Sequence, residues 1–331
     1  MTALITAVIL IVTVVSTGLA AGKLVRRAAP ALMHTPRLAV ATLVGVLAVW
    51  LAGFAAFGPM LAWALAARTG FLPGNTGEVC QRCLAAANPL PADMAINAAI
   101  PAVILIALPV VLLIVMVLGG LRYKYQGHQQ RAELESALRL GAYRTRLAGH
   151  SVTVIPHDDP TAFALSNRRW GIVVSTALLR LLNTEELGAV VAHEAAHVRQ
   201  RHHLIIGLVQ GVLAPLRWVP LVAAIRAAVP HYLEMAADNA ARDENGTAVM
   251  ASALLKIGEK GGPTVAQHAG GAVVLHAAGT DRIRHLVAPP DASRGIGPMA
   301  AMIFTTIIVS VSSMLVVLPY GQALLDGCLT L

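Results

Sequence analysis

The sequence predicts an α-helical membrane protein of about four spans into which a polar α+β domain is inserted. Three observations predict it. Hydrophobic residues make up 56% of the 331 positions and charged residues only 13%, which sets the chain apart from ordinary soluble domains. Apolar stretches long enough to cross a hydrocarbon core of about 30 Å occur at Leu4–Ala21, Leu38–Ala66, Ala98–Leu118 and Met299–Leu318. Between the third and fourth stretches the chain turns polar, with short β-patterned runs and a histidine-bearing helix. The expected division is therefore residues 1–120 for three spans, 121–296 for the inserted domain, and 297–331 for the fourth span and a short tail.

The first apolar stretch has small residues at Ala20 and Ala21, like a signal peptide. Its positive charges (Lys23, Arg26 and Arg27) follow the apolar run instead of preceding it, which predicts a retained anchor with an outer amino terminus. The positive-inside rule then orients the rest. Gly22–Arg37, with Lys23, Arg26, Arg27 and Arg37, reads as a cytoplasmic loop, and Ala67–Asn97 as an outer one. Arg122, Lys124, Arg131, Arg139, Arg144 and Arg146 place the inserted domain in the cytoplasm of a multi-pass plasma-membrane protein, and the carboxyl tail outside.

The net charge of +8 is explained by this orientation. No basic stripe is interleaved with aromatics, so direct nucleic-acid binding is not expected. The apolar stretches lack the paired ionisable residues of transport pathways. Cys80, Cys83 and Cys328 all fall on the expected outer face, where disulfides can form. Cys80-Gln81-Arg82-Cys83 is open to reading as a redox pair, half a metal site or a structural disulfide, with Cys328 free or paired with one of them.

In the inserted domain, Gln126–Gly141 reads as a helix leaving the membrane. Val152–Ile155 and Gly171–Ser175 read as strands, and Thr161–Leu165 as a third between them. Such a sheet offers an edge, at Ala162, Phe163 and Ala164, to which an extended peptide could hydrogen-bond. The following segment, Leu182–His197, reads as a helix with Asn183 or Thr184 as its cap. With Asn183 as cap, Glu186 falls where a capping box wants it. His193 and His197 lie one turn apart on one face, able to meet at one ion, and Glu194 can reach a water from the side. Two ligands and a general base in the order His-Glu-x-x-His is the arrangement of zinc peptidases. Apolar neighbours predict burial, where unpaired His and Glu are costly.

His203 stands where a three-histidine pattern would place a third ligand. Gln200 occupies the position of that pattern's glycine turn, so the helix is expected to continue and carry His203 away. The broken apolar stretch Leu204–Val229 is expected to be a shallow hairpin or part of the core. Beyond it, His231–Arg242 reads as a second helix, with Pro230 in its first turn. Glu234 and Asp238 share one face there, which predicts Glu234 as the third ligand of a gluzincin-like domain and Asp238 as support for a ligand imidazole. His231 is the alternative ligand or a transition-state donor. Arg282 and Arg284 are candidates to steady an oxyanion or a carboxylate, against the plainer reading of surface anchors.

Taken together, the stretches "TEELGAVVAHEAAHVRQRHH" (Thr184–His203), "EMAADNAAR" (Glu234–Arg242), "AFALSNRRWGIVVSTALL" (Ala162–Leu179) and "DRIRHLVAPP" (Asp281–Pro290) resemble the BlaR/MecR antirepressor metallopeptidases. HtpX/CAAX-prenyl-protease-like membrane peptidases are the next group the pattern resembles. The resemblance implies zinc held by His193, His197 and Glu234, with Glu194 as base and Asp238 behind a ligand. It also implies a protein substrate that is cytoplasmic or membrane-associated, such as a transcriptional repressor. The alternatives are quality control of membrane proteins and a non-catalytic zinc scaffold. Only Tyr320–Leu331 follow the fourth span, so an outer penicillin-binding sensor of the antirepressor kind is not expected.

Overall fold

The computed structural model describes residues 2–66, 99–138, 141–165, 171–260, 273–274, 280–287 and 291–329. Helices α1 (Thr2–Leu32), α2 (Pro36–Ala66), α3 (Ala99–Leu138) and, at the far end of the chain, α10 (Ser293–Leu329) carry the apolar stretches. Segments Val8–Leu32, Pro36–Ala56, Pro109–Gln129 and Ser293–Leu315 are long and apolar enough to cross a membrane. Their outward residues are apolar too, among them Val12, Leu19, Leu113, Leu118, Phe304 and Leu315, as suits a hydrocarbon surrounding. Inside, the Trp50 indole N–H donates to the Val14 carbonyl at 2.8 Å and ties α2 to α1.

The basic stretch Gly22–Arg37 is not a loop. Helix α1 runs through Lys23, Arg26 and Arg27 to Leu32, leaving only Met33–Thr35 as the turn into α2. Gln126–Leu138 is helical, as expected of a segment leaving the membrane, and is the direct continuation of α3. Helix α1 continues past its apolar run in spite of Gly22 and Pro30. The expectations on Cys80 and Cys83 fall outside the described residues, as does the Cys328 side chain.

The inserted region opens with strands β1 (Tyr143–Leu147), β2 (His150–Ile155), β3 (Ala162–Ala164) and β4 (Ile172–Ser175), completed by β5 (Val273–Val274) in the order β1-β2-β4-β3-β5. Strand β1 pairs antiparallel with β2, β2 parallel with β4, and β3 antiparallel with both β4 and β5. The β1 strand escaped the sequence reading, because Tyr-Arg-Thr-Arg-Leu is short and has no fully buried residue. The expected free edge at β3 is also corrected: Phe163 and Ala164 pair with Val274 and Val273, so the chain's own residues cover donors and acceptors that an open edge would expose.

Behind the sheet, α4 (Thr176–Leu181), α5 (Thr184–Arg199) and α8 (Thr247–Lys260) form an apolar core with it. Val152, Ile172 and Val174 meet Leu178, Val190, Val191, Met250 and Leu254 there. Helix α5 starts on a full capping box: Glu186 N–H donates to Asn183 Oδ1 at 2.8 Å, and Asn183 N–H to Glu186 Oε2 at 3.0 Å. Ser252 Oγ (2.6 Å) and Lys256 Nζ (2.8 Å) on α8 donate to the same buried carboxylate.

After α5, the chain passes through short α6 (His202–Ile206), a π turn at Gly207–Val212 and a 3₁₀ turn at Ala214–Leu216. It then enters α7 (Pro220–Asn245), whose first residue is Pro220. Val209, Leu213 and Leu216 join Leu221, Ile225 and Val229 in the apolar core built by α1 and α2. Helix α7 also presses on α1: a Cβ at Gly22 would lie 2.6 Å from the Pro220 carbonyl oxygen, so only glycine fits there.

Pro230 does not begin a helix; it lies in the middle of α7. A proline there strips the Arg226 carbonyl of its helical donor. Gln210 Nε2 supplies the missing hydrogen bond at 2.8 Å, and an Arg226 guanidinium N–H donates back to Gln210 Oε1 at 3.1 Å. Helix α9 (Thr280–Val287) completes the inserted region.

Burial would raise the Glu186 pKa, but Lys256, Ser252 and the Asn183 N–H outweigh it and hold the group down at about 2, against an ordinary 4.5. A depressed folded-state pKa contributes stability above about 4.5 that is lost as pH falls through about 2. Glu186→Gln is expected to cost about 1–3 kcal/mol at pH 7. Urea unfolding in detergent should show the gap between variant and parent closing below about pH 4.

Candidate metal centre

Helix α5 presents His193, Glu194 and His197 from its buried face, all at most 3% exposed. Helix α7 crosses it on small residues: Ala196 packs with Ala237 and Ala240, letting the two backbones approach closely. That approach carries Glu234 to the histidines. Its Oε1 lies 3.5 Å from His197 Nε2 and its Oε2 3.6 Å from His193 Nε2, while the two ring Nε2 atoms are 3.1 Å apart. One donor atom from each of His193, His197 and Glu234 falls within 4.8 Å of the others, a group able to hold a metal ion.

One turn further along α7, Asp238 Oδ1 lies 2.9 Å from His193 Nδ1. The carboxylate therefore meets the Nδ1 edge of the ring and leaves Nε2 facing the donor group. Arg282, brought in by α9, is 4% exposed and closes the cluster: its Nε donates to Asp238 Oδ2 at 2.8 Å, and its Nη1 lies 3.3 Å from Glu234 Oε2. Arg282 is thus a buried clamp on two carboxylates and not a surface anchor. Arg284 lies on the same helix, with its side chain outside the described residues. His231 is not one of the three donors; it lines a groove with Val25, Arg26 and Met33 of the α1 end and turn.

Charge settles what the cluster needs. Glu194, Glu234 and Asp238 can supply three negative charges, against one from Arg282. With neutral imidazoles the balance is minus two, which one divalent cation would cancel. Without such a cation, protonation of Glu194 and His193 makes up the balance instead. Burial drives the Glu194 carboxyl up to about 8, with His193 and Arg282 pulling against it. Burial alone would depress His193, yet its contacts with Asp238 and Glu234 prevail and raise it to about 9. Glu234 is held at about 2 despite its burial, by His193 and Arg282. Both Glu194 oxygens are buried without a well-aligned hydrogen-bond partner. Two imidazoles and a carboxylate are the ligand types that zinc takes in hydrolytic sites, so the residues present fit a zinc ion.

The sequence reading missed one contributor. Helix α5 does not continue past Gln200 as expected. Arg201 takes the left-handed conformation (φ 54°) and turns the chain into α6, doing the work of the missing glycine. His202 is thereby folded back, its Nδ1 2.8 Å from His197 Nδ1 and its Nε2 3.1 Å from Gln200 Oε1. Burial pulls His197 down to about 3 and His202 to about 4, so both are neutral rings. The adjacent pair His202-His203 was the only available signal, and the left-handed turn at a non-glycine residue concealed which of the two faces inward.

Comparison with known proteins agrees with this geometry. The family model of Peptidase family M48 matches residues 128–257, the stretch that contains α5, α7 and all three donors. Among curated relatives, a Protease HtpX homolog of Thermococcus kodakarensis is 36% identical over 84 residues, 25% of this chain and 29% of the relative. Protease HtpX of Pasteurella multocida is 37% identical over 82 residues, 24% of this chain and 29% of the relative. A Protease HtpX homolog of Desulfotalea psychrophila is 41% identical over 64 residues, 19% and 22% of the two chains. The chain thus spans less than a third of the length of these relatives. No solved structure gives a significant match. These matches lie on the M48 and HtpX side of the resemblance and do not reach the antirepressor subgroup.

Two measurements check the centre. Elemental analysis of detergent-purified protein should find about one zinc per chain and a clear loss in Glu234→Ala. Arg282→Ala leaves Asp238 and Glu234 buried without their cation and should cost about 3–5 kcal/mol in metal-free protein, with a smaller loss when zinc is present, read by thermal unfolding.

Proposed function

We propose that the protein is an integral-membrane zinc endopeptidase that cuts membrane-associated or misfolded membrane polypeptides. The observation that carries this reading is the Glu194 carboxylate: fully buried, without a well-aligned hydrogen-bond partner, and next in sequence to a histidine of the three-donor group. A scaffold needs the donors but has no use for that carboxylate. Zinc held by His193, His197 and Glu234 would supply Lewis acidity toward a water and a peptide carbonyl.

Glu194 then takes a proton from the attacking water on its carboxylate and delivers it to the leaving nitrogen. Asp238 and Arg282 hold the ring of His193 and the carboxylate of Glu234 in place.

The choice of membrane polypeptides over a single regulatory target follows the relatives, which are named as HtpX proteases. Repressor cleavage is the narrower form of the same reading. The clustering of Lys23, Arg26 and Arg27 at the end of α1, with Arg122 and Lys124 on α3, supports a cytoplasmic position for the site.

An unfolded membrane protein incubated with the purified enzyme in detergent should be fragmented. A chelator should stop the reaction and added zinc restore it. Glu194→Gln should bind zinc like the parent yet lose at least about a thousandfold in rate, in line with the loss of a general base. Unchanged turnover in that variant would remove Glu194 from the mechanism.

A further inference from the structure

The two histidine donors are steadied in different ways, and the second way leads out of the site. His193 is braced by a carboxylate inside the cluster. His197 is braced by His202, which rests on Gln200, whose Oε1 also accepts from Arg37 Nε at 3.1 Å. Arg37 belongs to the first turn of α2, just past the short connection from α1. The series Arg37–Gln200–His202–His197 therefore links the turn between two membrane-type helices to a metal donor.

The direction of every hydrogen bond in the series follows from its first member. A guanidinium N–H can only donate, so the Gln200 amide must present its oxygen to Arg37. The same oxygen faces His202 Nε2, which must then carry a proton. A neutral imidazole protonated at Nε2 has its lone pair at Nδ1, so His197 Nδ1–H donates to it, and His197 Nε2 keeps its lone pair toward His193 and Glu234. The tautomers are assigned from this network. Were Arg37 absent, the Gln200 amide could rotate, and His202 would lose the acceptor that selects its tautomer.

We propose that His202 is a positioning residue for the metal donor His197, and that Arg37, through Gln200, sets its tautomer from the turn between α1 and α2. This rests on the reading of His193, His197 and Glu234 as a zinc site. It adds a mechanical coupling: a shift of the α1–α2 turn relative to α5 changes zinc affinity without touching a ligand. A membrane-embedded enzyme acquires in this way a route by which the packing of its helices reaches its metal.

The test uses full-length protein in detergent and reads zinc affinity by chelator competition, together with the visible absorption of the cobalt-substituted protein, which reports ligand geometry. Partners that orient a metal-bound imidazole are worth about 10- to 100-fold in metal affinity. His202→Phe should fall in that range and change the cobalt spectrum, while His202→Asn, which keeps an acceptor for His197 Nδ1–H, should recover most of the affinity.

Arg37→Met and Gln200→Leu should each weaken zinc by about three- to tenfold, a smaller share of the same effect. Arg37 is exposed, so its variant keeps the test available even if His202→Phe fails to fold. Parental zinc affinity and cobalt spectrum in Arg37→Met would overturn the coupling, and the same result in folded His202→Phe would overturn the positioning role. A parent that binds zinc but cuts nothing would instead count against the peptidase reading and leave this inference standing.

Discussion

Everything near the centre of this protein follows from one electrostatic constraint: three carboxylates are gathered at one largely buried point. Isolated charges in such a place are prohibitively costly. The fold answers with a guanidinium, Arg282, laid across Asp238 and Glu234, and with two imidazoles turned toward the same point. A divalent cation completes the balance. The elements that deliver these groups must all reach one spot: α5 with the histidines, α7 with the acids and α9 with the arginine.

Helix α7 joins two environments. Its first half lies in the apolar core with α1 and α2, through Leu221, Val222, Ile225 and Val229, and its second half carries Glu234 and Asp238. Pro230 sits between them. Its missing hydrogen bond is made good by Gln210 from the preceding hairpin, so the break in the helical ladder becomes a fixed joint rather than a loose one. The stretch 202–219 is therefore not a spacer. It fills the apolar core, repairs α7 and, at its first residue, leans on His197.

Small residues do the rest of the positioning. Ala196, Ala237 and Ala240 allow α5 and α7 to pack closely enough for side chains on both to share an ion, and Gly22 lets α1 lie against the start of α7. The sheet contributes a wall beside Glu194, with β3 lined along one side and its outer edge occupied by β5.

What the sequence by itself determined was local and periodic. The apolar runs marked four helices, the Asn183–Glu186 spacing marked the start of α5, and the placement of His193, Glu194 and His197 followed from the helical period once that start was known. The Glu234–Asp238 spacing put both acids on one face for the same reason. Tertiary structure alone decided what lies opposite those faces.

No periodicity places Arg282 across two carboxylates, since the contact spans 44 positions of chain and depends on how α9 packs on α7. None turns His202 inward in place of His203, because that depends on a left-handed Arg201 that the sequence pattern does not announce. The free edge expected at β3 and the helix start expected at Pro230 failed for a related reason. The cover for the β3 edge and the hydrogen bond that compensates Pro230 both come from elsewhere in the chain, and such partners are settled by packing and not by local spacing.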